Sequence, residues 1–269
     1  MTLRSVVKNV PSAMRIIRDD VDGYARRLLR PVSLDLTGDE QTCVADLQRD
    51  GFAVVQGYWP REKALRLRDR LEAFLTEERD RDFDNGAYLR FWNKRAYDTG
   101  VRRLYHVERL VPELNDFRND PSLLRIFAQY CGRPYYSGVL VFQHNTRTNA
   151  DTRYYHVDWF ARQFKAFVYL DDVDEGNGPF AYLRGTHRSW FIRLKKQLLG
   201  NVEGSPTSFS ERDLKSVLAR EVQVCGPAGT LILADVRGFH RGAPQADRSR
   251  SVLVNYIDLQ SPGDIYLDK

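Results

Sequence analysis

The sequence has few cysteines and no long uncharged apolar run. Its three cysteines, Cys43, Cys131 and Cys225, form no CxxC pair. A small, odd number of cysteines argues against a disulfide framework and favours a reducing compartment. No segment approaches the roughly 18 apolar residues of a membrane-spanning helix, and the N-terminal stretch lacks the apolar core of a signal peptide. We therefore expect a cytoplasmic protein without a membrane span.

Neither sign of charge dominates the sequence strongly. The net charge is +5, and residues 1–35 hold seven Arg or Lys residues against four Asp. The chain lacks long runs of like charge and the aromatic-interleaved basic patterns of nucleic-acid readers, so no nucleic-acid partner is expected. The basic stretch is compatible with an anionic substrate, with peripheral contact to an anionic membrane surface, or with a plain solvated face.

The order of the apolar patterns predicts helices first and strands afterwards. Residues 1–35 predict an amphipathic helix, and further helices are expected to end at Asp50 and at Gly132. In the second half, short runs rich in Val, Phe, Tyr and Leu alternate with turn residues, interrupted by a helical insertion over 189–220. We expect a mainly β protein, a barrel or sandwich with an N-terminal helical layer, forming a single domain over 1–269.

Three residues have the spacing of a metal site. The segment TRYYHVDWF reads as a strand, on which His156 and Asp158 project to one face while Val157 turns away. His240, which follows another predicted strand, is the candidate third ligand. Two imidazoles and one carboxylate on one face of an octahedron leave three positions open, as non-haem Fe(II) and oxygen activation require. The HxD pair alone also occurs in hydrolytic zinc sites.

An arginine that could bind a carboxylate lies ten residues after His240. Arg250 begins a predicted strand whose alternation turns it toward the interior of the barrel, and a fixed guanidinium there suits a bidentate contact to a carboxylate. Arg248 has the same parity on the chain, so the pattern leaves both arginines as candidates.

Four ordered segments resemble the phytanoyl-CoA dioxygenase family of Fe(II)/2-oxoglutarate oxygenases, over about residues 43 to 257. They are LQRDGFAVVQGYWPREKALRLRDRL, TRYYHVDWF, FVYLDDVDEGNGPFAYLRGTHR and GPAGTLILADVRGFHRGAP. The resemblance implies a double-stranded β-helix, or cupin-like jelly roll, that binds Fe(II), 2-oxoglutarate and O2. The residues it implies are the iron ligands His156, Asp158 and His240, and the cosubstrate-binding residues Arg250, Gln143 and Phe167.

The sequence departs from the family pattern beside the distal histidine. Gly242 stands where the family often has Ser, and Gln245 replaces a frequent Asn. Neither change touches the metal. The loss of the Ser hydroxyl removes one contact to the cosubstrate, so Arg250 is expected to act more alone.

The resemblance implies an oxygenase that hydroxylates an unactivated C–H bond of a small molecule. Because Asp158 is a carboxylate rather than Gly or Ala, no iron position is vacated for a halide, and hydroxylation is favoured over halogenation. A basic cluster suggests an anionic or a lipid- or sugar-linked substrate, unless it is only a solvated face; its members are Arg184, Arg188, Arg193, Lys195 and Lys196.

Two other classes of protein stay open on the sequence alone. One is a metal-binding jelly roll that does not use 2-oxoglutarate, and the other is an interaction protein that uses the basic N-terminal helix. Of the remaining histidines, His187 is expected to be structural, and His106 and His144 to lie in the core or a substrate pocket. The acidic run over 171–175 is expected to be a solvated turn.

Overall fold

We describe a computed structural model of the chain. It describes Met14, Ile17 and Pro134 and residues 34–75, 79–91, 100–132, 136–146, 153–158, 163–199, 207–246 and 248–258. The amphipathic helix predicted over 1–35 therefore lies outside the described residues, apart from Met14 and Ile17 and the last two positions.

Antiparallel strands form most of the described structure. They are β1 (Phe52–Val55), β2 (Arg81–Asp82), β3 (Tyr88–Phe91), β4 (Val101–Tyr105), β5 (Tyr136–Asn145), β6 (Phe164–Tyr169), β7 (Phe180–Leu183), β8 (Glu221–Val224), β9 (Leu231–Asp235), β10 (His240–Gly242) and β11 (Arg250–Asp258). A large sheet has the order β1-β9-β6-β11-β5-β4-β3-β2, and a small sheet has the order β10-β7-β8. The non-consecutive neighbours place strands that are distant in sequence side by side around the candidate site.

Helices flank the two sheets, and the first four in chain order pack against the large sheet. The helices are α1 (Gly38–Asp50), α2 (Arg61–Glu72), α3 (Asn115–Arg118), α4 (Pro121–Cys131), α5 (Trp190–Leu199) and α6 (Glu211–Leu214). Leu47 of α1, Leu67 of α2 and Phe127 of α4 are fully buried in one core with Phe164 of β6, whose ring stacks on Phe127 at 4.8 Å between centroids. This apolar contact holds the helical layer on the sheet and confirms the predicted arrangement.

The helix ends follow local signals in the sequence. Thr37 forms a capping box with Glu40 at the start of α1, and Asp120 caps α4, whose first residue is Pro121. Ser210 and Asp213 form a capping box at the start of α6. These caps satisfy backbone N–H groups that have no partner within the helix.

The two sheets enclose a second apolar core. Ile232 of β9 and Val252 of β11 pack there with Phe180 and Tyr182 of β7. Because side chains alternate along a strand, the other face of these strands packs against the helices. The space between the sheets is where inward-facing polar side chains, described below, form the candidate site.

One predicted element, a strand, differs from the structure. Residues 153–158 do not form a strand, because Val157 N–H donates to Thr207 and Asp158 N–H to Val236, while only His156 makes a β-bridge. The predicted insertion over 189–220 is helical in α5, in α6 and in a 3-10 turn, Leu218–Arg220, with 200–206 not described. None of the described helices is long and apolar enough to span a membrane.

Candidate metal centre

Three side chains converge at one end of the space between the sheets. The ligand atoms of His156, Asp158 and His240 all lie within 4.8 Å of one another. Nε2 of His156 is 3.6 Å from Asp158 Oδ1, and Nε2 of His240 is 3.7 Å from the same oxygen. Within the part of the chain that the structure describes, no other group of His, Cys, Asp or Glu has metal-binding geometry.

The backbone fixes the two imidazoles. His156 and His240 exchange backbone hydrogen bonds of 2.9 and 3.1 Å, which joins the segment before the HxD pair to β10. Nδ1 of His156 lies 2.8 Å from the carbonyl oxygen of Tyr154, and Nδ1 of His240 lies 2.9 Å from that of Gly238. Because a carbonyl only accepts, each Nδ1 donates, and each Nε2 keeps its lone pair for a metal.

Lys165 on β6 determines which oxygen of the Asp158 carboxylate faces the two imidazoles. Its ammonium group forms an ion pair with Oδ2 of Asp158, on the other side of the carboxylate from the two imidazoles. Oδ1 is therefore the oxygen that faces His156 and His240. A carboxylate held in this way offers a metal one oxygen and leaves the remaining coordination positions open.

The electrostatics keep His156 and Asp158 in their metal-binding forms. Burial, reinforced by the neighbouring His240, lowers the pKa of His156 to about 3, so its imidazole is neutral. Burial alone would raise the pKa of Asp158, but Lys165 and the two imidazoles hold it well below its ordinary value. Burial opposes the charge on Lys165 too, yet Asp158 raises the pKa of that lysine. A metal would therefore meet a neutral imidazole at His156 and a charged carboxylate at Asp158.

Burial separates the two candidate arginines. The Arg248 side chain is 53% exposed and pairs with Asp174 at 2.6 Å. Arg250 is buried and donates to the carbonyl of Gly178, and burial lowers its pKa below the ordinary value for arginine. Its Nε is buried and has no hydrogen-bond partner among the described residues. Arg250 thus presents an unsatisfied donor inside the protein, where a carboxylate would fit.

Gln143 and Phe167 flank β11 on its two sides. Gln143 of β5 lies opposite Val252, and Phe167 of β6 lies opposite Val254, so both share the inner face. The Phe167 ring lies 5.1 Å from that of Phe180, which in turn is 5.7 Å from the His240 ring. The Gln143 amide accepts a hydrogen bond from Arg103 at 2.9 Å.

A buried arginine from another part of the chain, Arg153, contacts the segment that follows His240. Arg153, just before the HxD pair, reaches the backbone carbonyls of Gly178 and Ala243 and the side-chain oxygen of Gln245. Neither Arg153 nor Lys165 was among the residues predicted from the sequence. The alternation of β6 gives a signal for Lys165, because it turns inward together with Phe167 and Tyr169.

The remaining histidines lie away from this centre. His187 is buried in a 3-10 turn, and burial lowers its pKa to about 4. Nδ1 of His144 contacts Ser251 Oγ at 2.9 Å, and Nδ1 of His106 lies 3.4 Å from Glu108. None of these contacts builds a metal site. The acidic run over 171–175 forms ion pairs instead, including Asp172 with Arg61 and Asp171 with Arg68.

The basic cluster after residue 183 is divided among different roles. Arg193 is fully buried and donates to the backbone carbonyls of His187 and Arg237, so it supports the fold. Lys196 pairs with Asp213 at 3.1 Å. Arg184 and Arg188 line a separate surface pocket, of about 460 Å³. The cluster is therefore not one continuous substrate-binding face.

The sequence matches a known protein family over most of its length. The family described as phytanoyl-CoA dioxygenase (PhyH) matches residues 47–252. The chain belongs to this family. No curated protein matches it in sequence.

Solved structures support the same fold. EctD from S. alaskensis with bound Fe is 17% identical, with a TM-score of 0.61 over 86% of this chain and 82% of that one. HygX from Streptomyces hygroscopicus with nickel and 2-oxoglutarate bound is 18% identical, with a TM-score of 0.54 over 83% and 87%. The epimerase SnoN, in complex with Fe3+, alpha ketoglutarate and nogalamycin RO, is 15% identical, with a TM-score of 0.56 over 82% and 83%.

Family membership and fold agree with the sequence analysis. The mainly antiparallel sheets with their helical layer are the jelly roll of this class, and the chain is a non-haem iron, 2-oxoglutarate-dependent oxygenase. Its cofactor is iron, and 2-oxoglutarate and O2 are its cosubstrates. The oxygenase is thereby favoured over the two alternative classes that the sequence left open.

Proposed function

We propose that this oxygenase hydroxylates a C–H bond of a small anionic molecule. In this proposal His156, Asp158 and His240 hold the iron, and Arg250 holds the remote carboxylate of 2-oxoglutarate. We further propose that residues 1–269 act as one cytoplasmic domain. The observation that carries the proposal is the convergence of two oriented Nε2 atoms on one oxygen of a charged carboxylate.

The residues present fit iron and 2-oxoglutarate. Two imidazoles and one carboxylate are the donor set of the facial triad that binds non-haem Fe(II). The buried Nε of Arg250, without a hydrogen-bond partner among the residues described, suits the far carboxylate of the cosubstrate. Gln143 and Phe167 are proposed to line the cosubstrate between these two ends, since both lie on the inner face beside β11.

When bound, iron and 2-oxoglutarate supply the oxidation, in which one oxygen atom of O2 enters succinate and the other enters the substrate. The protein's own residues hold and orient. The carbonyls of Tyr154 and Gly238 fix the imidazole tautomers, and Lys165 keeps Asp158 charged with Oδ1 toward the iron. The carboxylate at position 158 supports hydroxylation rather than halogenation, because it fills the position that a halide would need.

The inner face beside the metal centre supports an anionic substrate. Lys165 lies opposite Tyr256 and adjoins the ligand Asp158. On the same face Arg103 lies opposite Gln143, and Tyr105 is stacked on Tyr88 at 4.6 Å between centroids. Cations interleaved with tyrosines bind carboxylates or phosphates through charge and hydroxyl donors together. This face replaces the basic cluster after residue 183 as the reason to expect an anionic substrate.

The proposal is tested by following both oxygen atoms during turnover. The enzyme with Fe(II) and 2-oxoglutarate is incubated under 18O2 with small carboxylates and phosphates, each paired with an uncharged analogue. We expect an anionic compound to raise succinate release at least tenfold above the rate without substrate, and its product to carry one 18O atom. Stimulation by uncharged analogues alone contradicts an anionic substrate. A product without 18O contradicts hydroxylation. This outcome is a real alternative, because two similar structures are described as an epimerase and a carbocyclase.

A matched pair of arginines on β4 tests the binding face. Arg103 turns inward to Gln143, whereas its neighbour Arg102 turns outward, toward the carbonyl of Leu75. Arg103→Gln is expected to raise the KM for the substrate about tenfold, the effect of losing one charge-assisted contact. Arg102→Gln is expected to leave that KM within twofold. Equal effects of the two substitutions would argue against the proposed face.

A further inference from the structure

We propose that the side-chain amide of Asn145 is a second hydrogen-bond donor, beside Arg250, for the remote carboxylate of 2-oxoglutarate. This inference rests on the proposed function, in which Arg250 binds that carboxylate. It replaces the expectation that Arg250 acts more alone because Gly242 stands where the family often has Ser.

Asn145 and Arg250 lie directly opposite each other on neighbouring antiparallel strands. Asn145 is the last residue of β5, Arg250 is the first residue of β11, and the register of the two strands pairs them. Side chains of directly opposed residues point to the same face of a sheet, with their Cβ atoms about 5 Å apart. That face is the inner one, because Arg250 alternates in phase with Val252, which packs in the core between the sheets. The Asn145 amide therefore lies beside the guanidinium group.

A chain of hydrogen bonds fixes the orientation of the Asn145 amide. Nε of Arg103 donates to the side-chain oxygen of Gln143 at 2.9 Å. Since a guanidinium group only donates, the other end of the Gln143 amide is its nitrogen, which donates to Oδ1 of Asn145 at 2.8 Å. Oδ1 of Asn145 is thereby occupied, and the NH2 group of the same amide is turned away from Gln143.

Two buried donors without acceptors thus lie side by side. Asn145 is fully buried, and Arg250 is 6% exposed. Among the residues that the structure describes, neither Nδ2 of Asn145 nor Nε of Arg250 has a hydrogen-bond partner. A buried donor without an acceptor is costly, and folded proteins contain few of them. One carboxylate has two oxygens with several lone pairs, so it can accept from both donors at once.

The glycine after the distal histidine explains why this second donor comes from β5. A Cβ atom at Gly242 would lie 3.2 Å from Nη2 of Arg250, so a side chain at this position of β10 would reach the same guanidinium group. Gly242 itself has no hydroxyl to donate. The Asn145 amide approaches Arg250 from the large sheet, whereas β10 belongs to the small one. The remote carboxylate would then meet one charged donor and one neutral donor.

Binding of two keto acids separates this role from a purely structural one. Titration calorimetry with Mn(II) in place of Fe(II) gives the Kd without turnover, for 2-oxoglutarate and for 2-oxopentanoate, which has the same chain length but no remote carboxylate. Asn145→Leu keeps the approximate size of the side chain and removes the amide. It is expected to raise the Kd for 2-oxoglutarate about tenfold, the loss of one hydrogen bond to a charged group, and to leave the Kd for 2-oxopentanoate within about twofold.

Asn255→Leu is the matched control. Asn255 is also buried, on β11, but its amide nitrogen donates to the carbonyls of Phe117 and Arg118 at 3.2 and 3.1 Å. Its oxygen accepts from Ser137 at 2.7 Å, so the protein itself satisfies this amide. Asn255→Leu is expected to lower thermal stability and to leave the ratio of the two Kd values unchanged.

Asn145→Asp supplies a second test that preserves more of the fold. It keeps the size of the side chain and the oxygen that accepts from Gln143, but it replaces the NH2 donor with a negatively charged acceptor. The new carboxylate would repel the remote carboxylate and pair with Arg250 in its place. We expect the Kd for 2-oxoglutarate to rise about a hundredfold and that for 2-oxopentanoate to stay within about threefold. Thermal unfolding verifies that each variant is folded, and Asn145→Asp decides the matter if Asn145→Leu does not fold.

Each outcome bears on one proposal. If Asn145→Leu binds 2-oxoglutarate as the wild type does, the amide donates nothing to the ligand, and the inference is overturned while the proposed function stands. Unchanged binding by Asn145→Asp has the same meaning where it is the only one of the two that folds. If a variant at position 145 weakens both keto acids equally, Asn145 only supports the fold, and the inference is again overturned. If the wild-type protein loaded with Mn(II) does not bind 2-oxoglutarate at all, the proposed function itself fails.

Discussion

Burial shifts the pKa of two histidines in the same direction, with different consequences. It lowers the pKa of His156 to about 3 and that of His187 to about 4. His156 donates through Nδ1 and turns Nε2 toward the metal centre. Both ring nitrogens of His187 are buried without a hydrogen-bond partner among the described residues. The neutral imidazole of His156 can thus bind a metal. The neutral imidazole of His187 only destabilises the folded state, and protonation of its ring would destabilise that state further.

His187 is expected to make the stability of the metal-free protein depend on pH. Its pKa is lower in the folded state, at about 4, than the ordinary 6.5, so its neutral form is fully accommodated above pH 6.5. Stability falls as the pH drops from 6.5 through 4, because the unfolded chain binds the proton more tightly. The loss from this residue approaches ~3 kcal/mol.

The measurement is urea unfolding of the wild type and of His187→Phe across this pH range. The difference in unfolding free energy between the two proteins is expected to shift in favour of the variant as the pH falls. Taking the difference removes the contribution of His156, which titrates in both proteins. Parallel pH curves would show that His187 is not the residue responsible.

At the scale of elements, the tight turn before β9 packs against Trp59, which lies just before α2. Trp59 N–H donates to the carbonyl of Gly229 at 3.1 Å, and Gly229 has a φ of 91°. A Cβ atom at Gly229 would lie 2.0 Å from the carbonyl oxygen of Trp59. This contact sets where β9 begins, and β9 ends at Asp235, which pairs with Arg237 in the segment leading to His240.

Two glycine substitutions separate backbone strain from this close approach. Gly57 also has a positive φ, of 69°, but a Cβ there would meet nothing within 4 Å. Gly57→Ala is expected to cost about 1 kcal/mol of unfolding free energy, the penalty of a left-handed conformation. Gly229→Ala is expected to cost about 3 kcal/mol, because a backbone carbonyl must move as well. Equal costs in urea unfolding would contradict the role of the Trp59 contact.

Periodicity predicted the apolar elements well and the polar ones poorly. The apolar patterns predicted helices that end at Asp50 and at Gly132, and the structure has α1 and α4 in these places. No strand was predicted at β4, because Arg103 faces inward and Arg102 outward, which removes the apolar alternation. The predicted strand over 153–158 was wrong, because its backbone bonds go to three separate segments.

At the scale of the whole molecule, sequence spacing identified the metal ligands, but not the other residues that surround them in the fold. His156 and Asp158 lie two residues apart, and their convergence with His240 was anticipated from spacing and family resemblance. Arg248 and Arg250 have equal parity, but only Arg250 lies within β11, and alternation does not extend to the loop before a strand. Burial, a property of the folded chain, distinguishes them.

The positions of the Lys165 and Arg153 side chains depend on contacts across the fold. Lys165 reaches Asp158 from β6, and Arg153 shares the carbonyl of Gly178 with Arg250. Neither contact follows from local spacing, because the partners lie in separate segments that only the sheet topology brings together. The family resemblance did not include either residue.

The anaerobic absorption spectrum tests most directly whether these residues hold iron and 2-oxoglutarate together. Addition of both to the wild-type protein under argon is expected to give a weak visible charge-transfer band. Asp158→Ala is expected to abolish the band, because it removes one of three ligands, and Arg250→Ala to shift its appearance to higher 2-oxoglutarate concentration. Absence of the band in the wild type, or an unchanged band in Asp158→Ala, would contradict the assigned site.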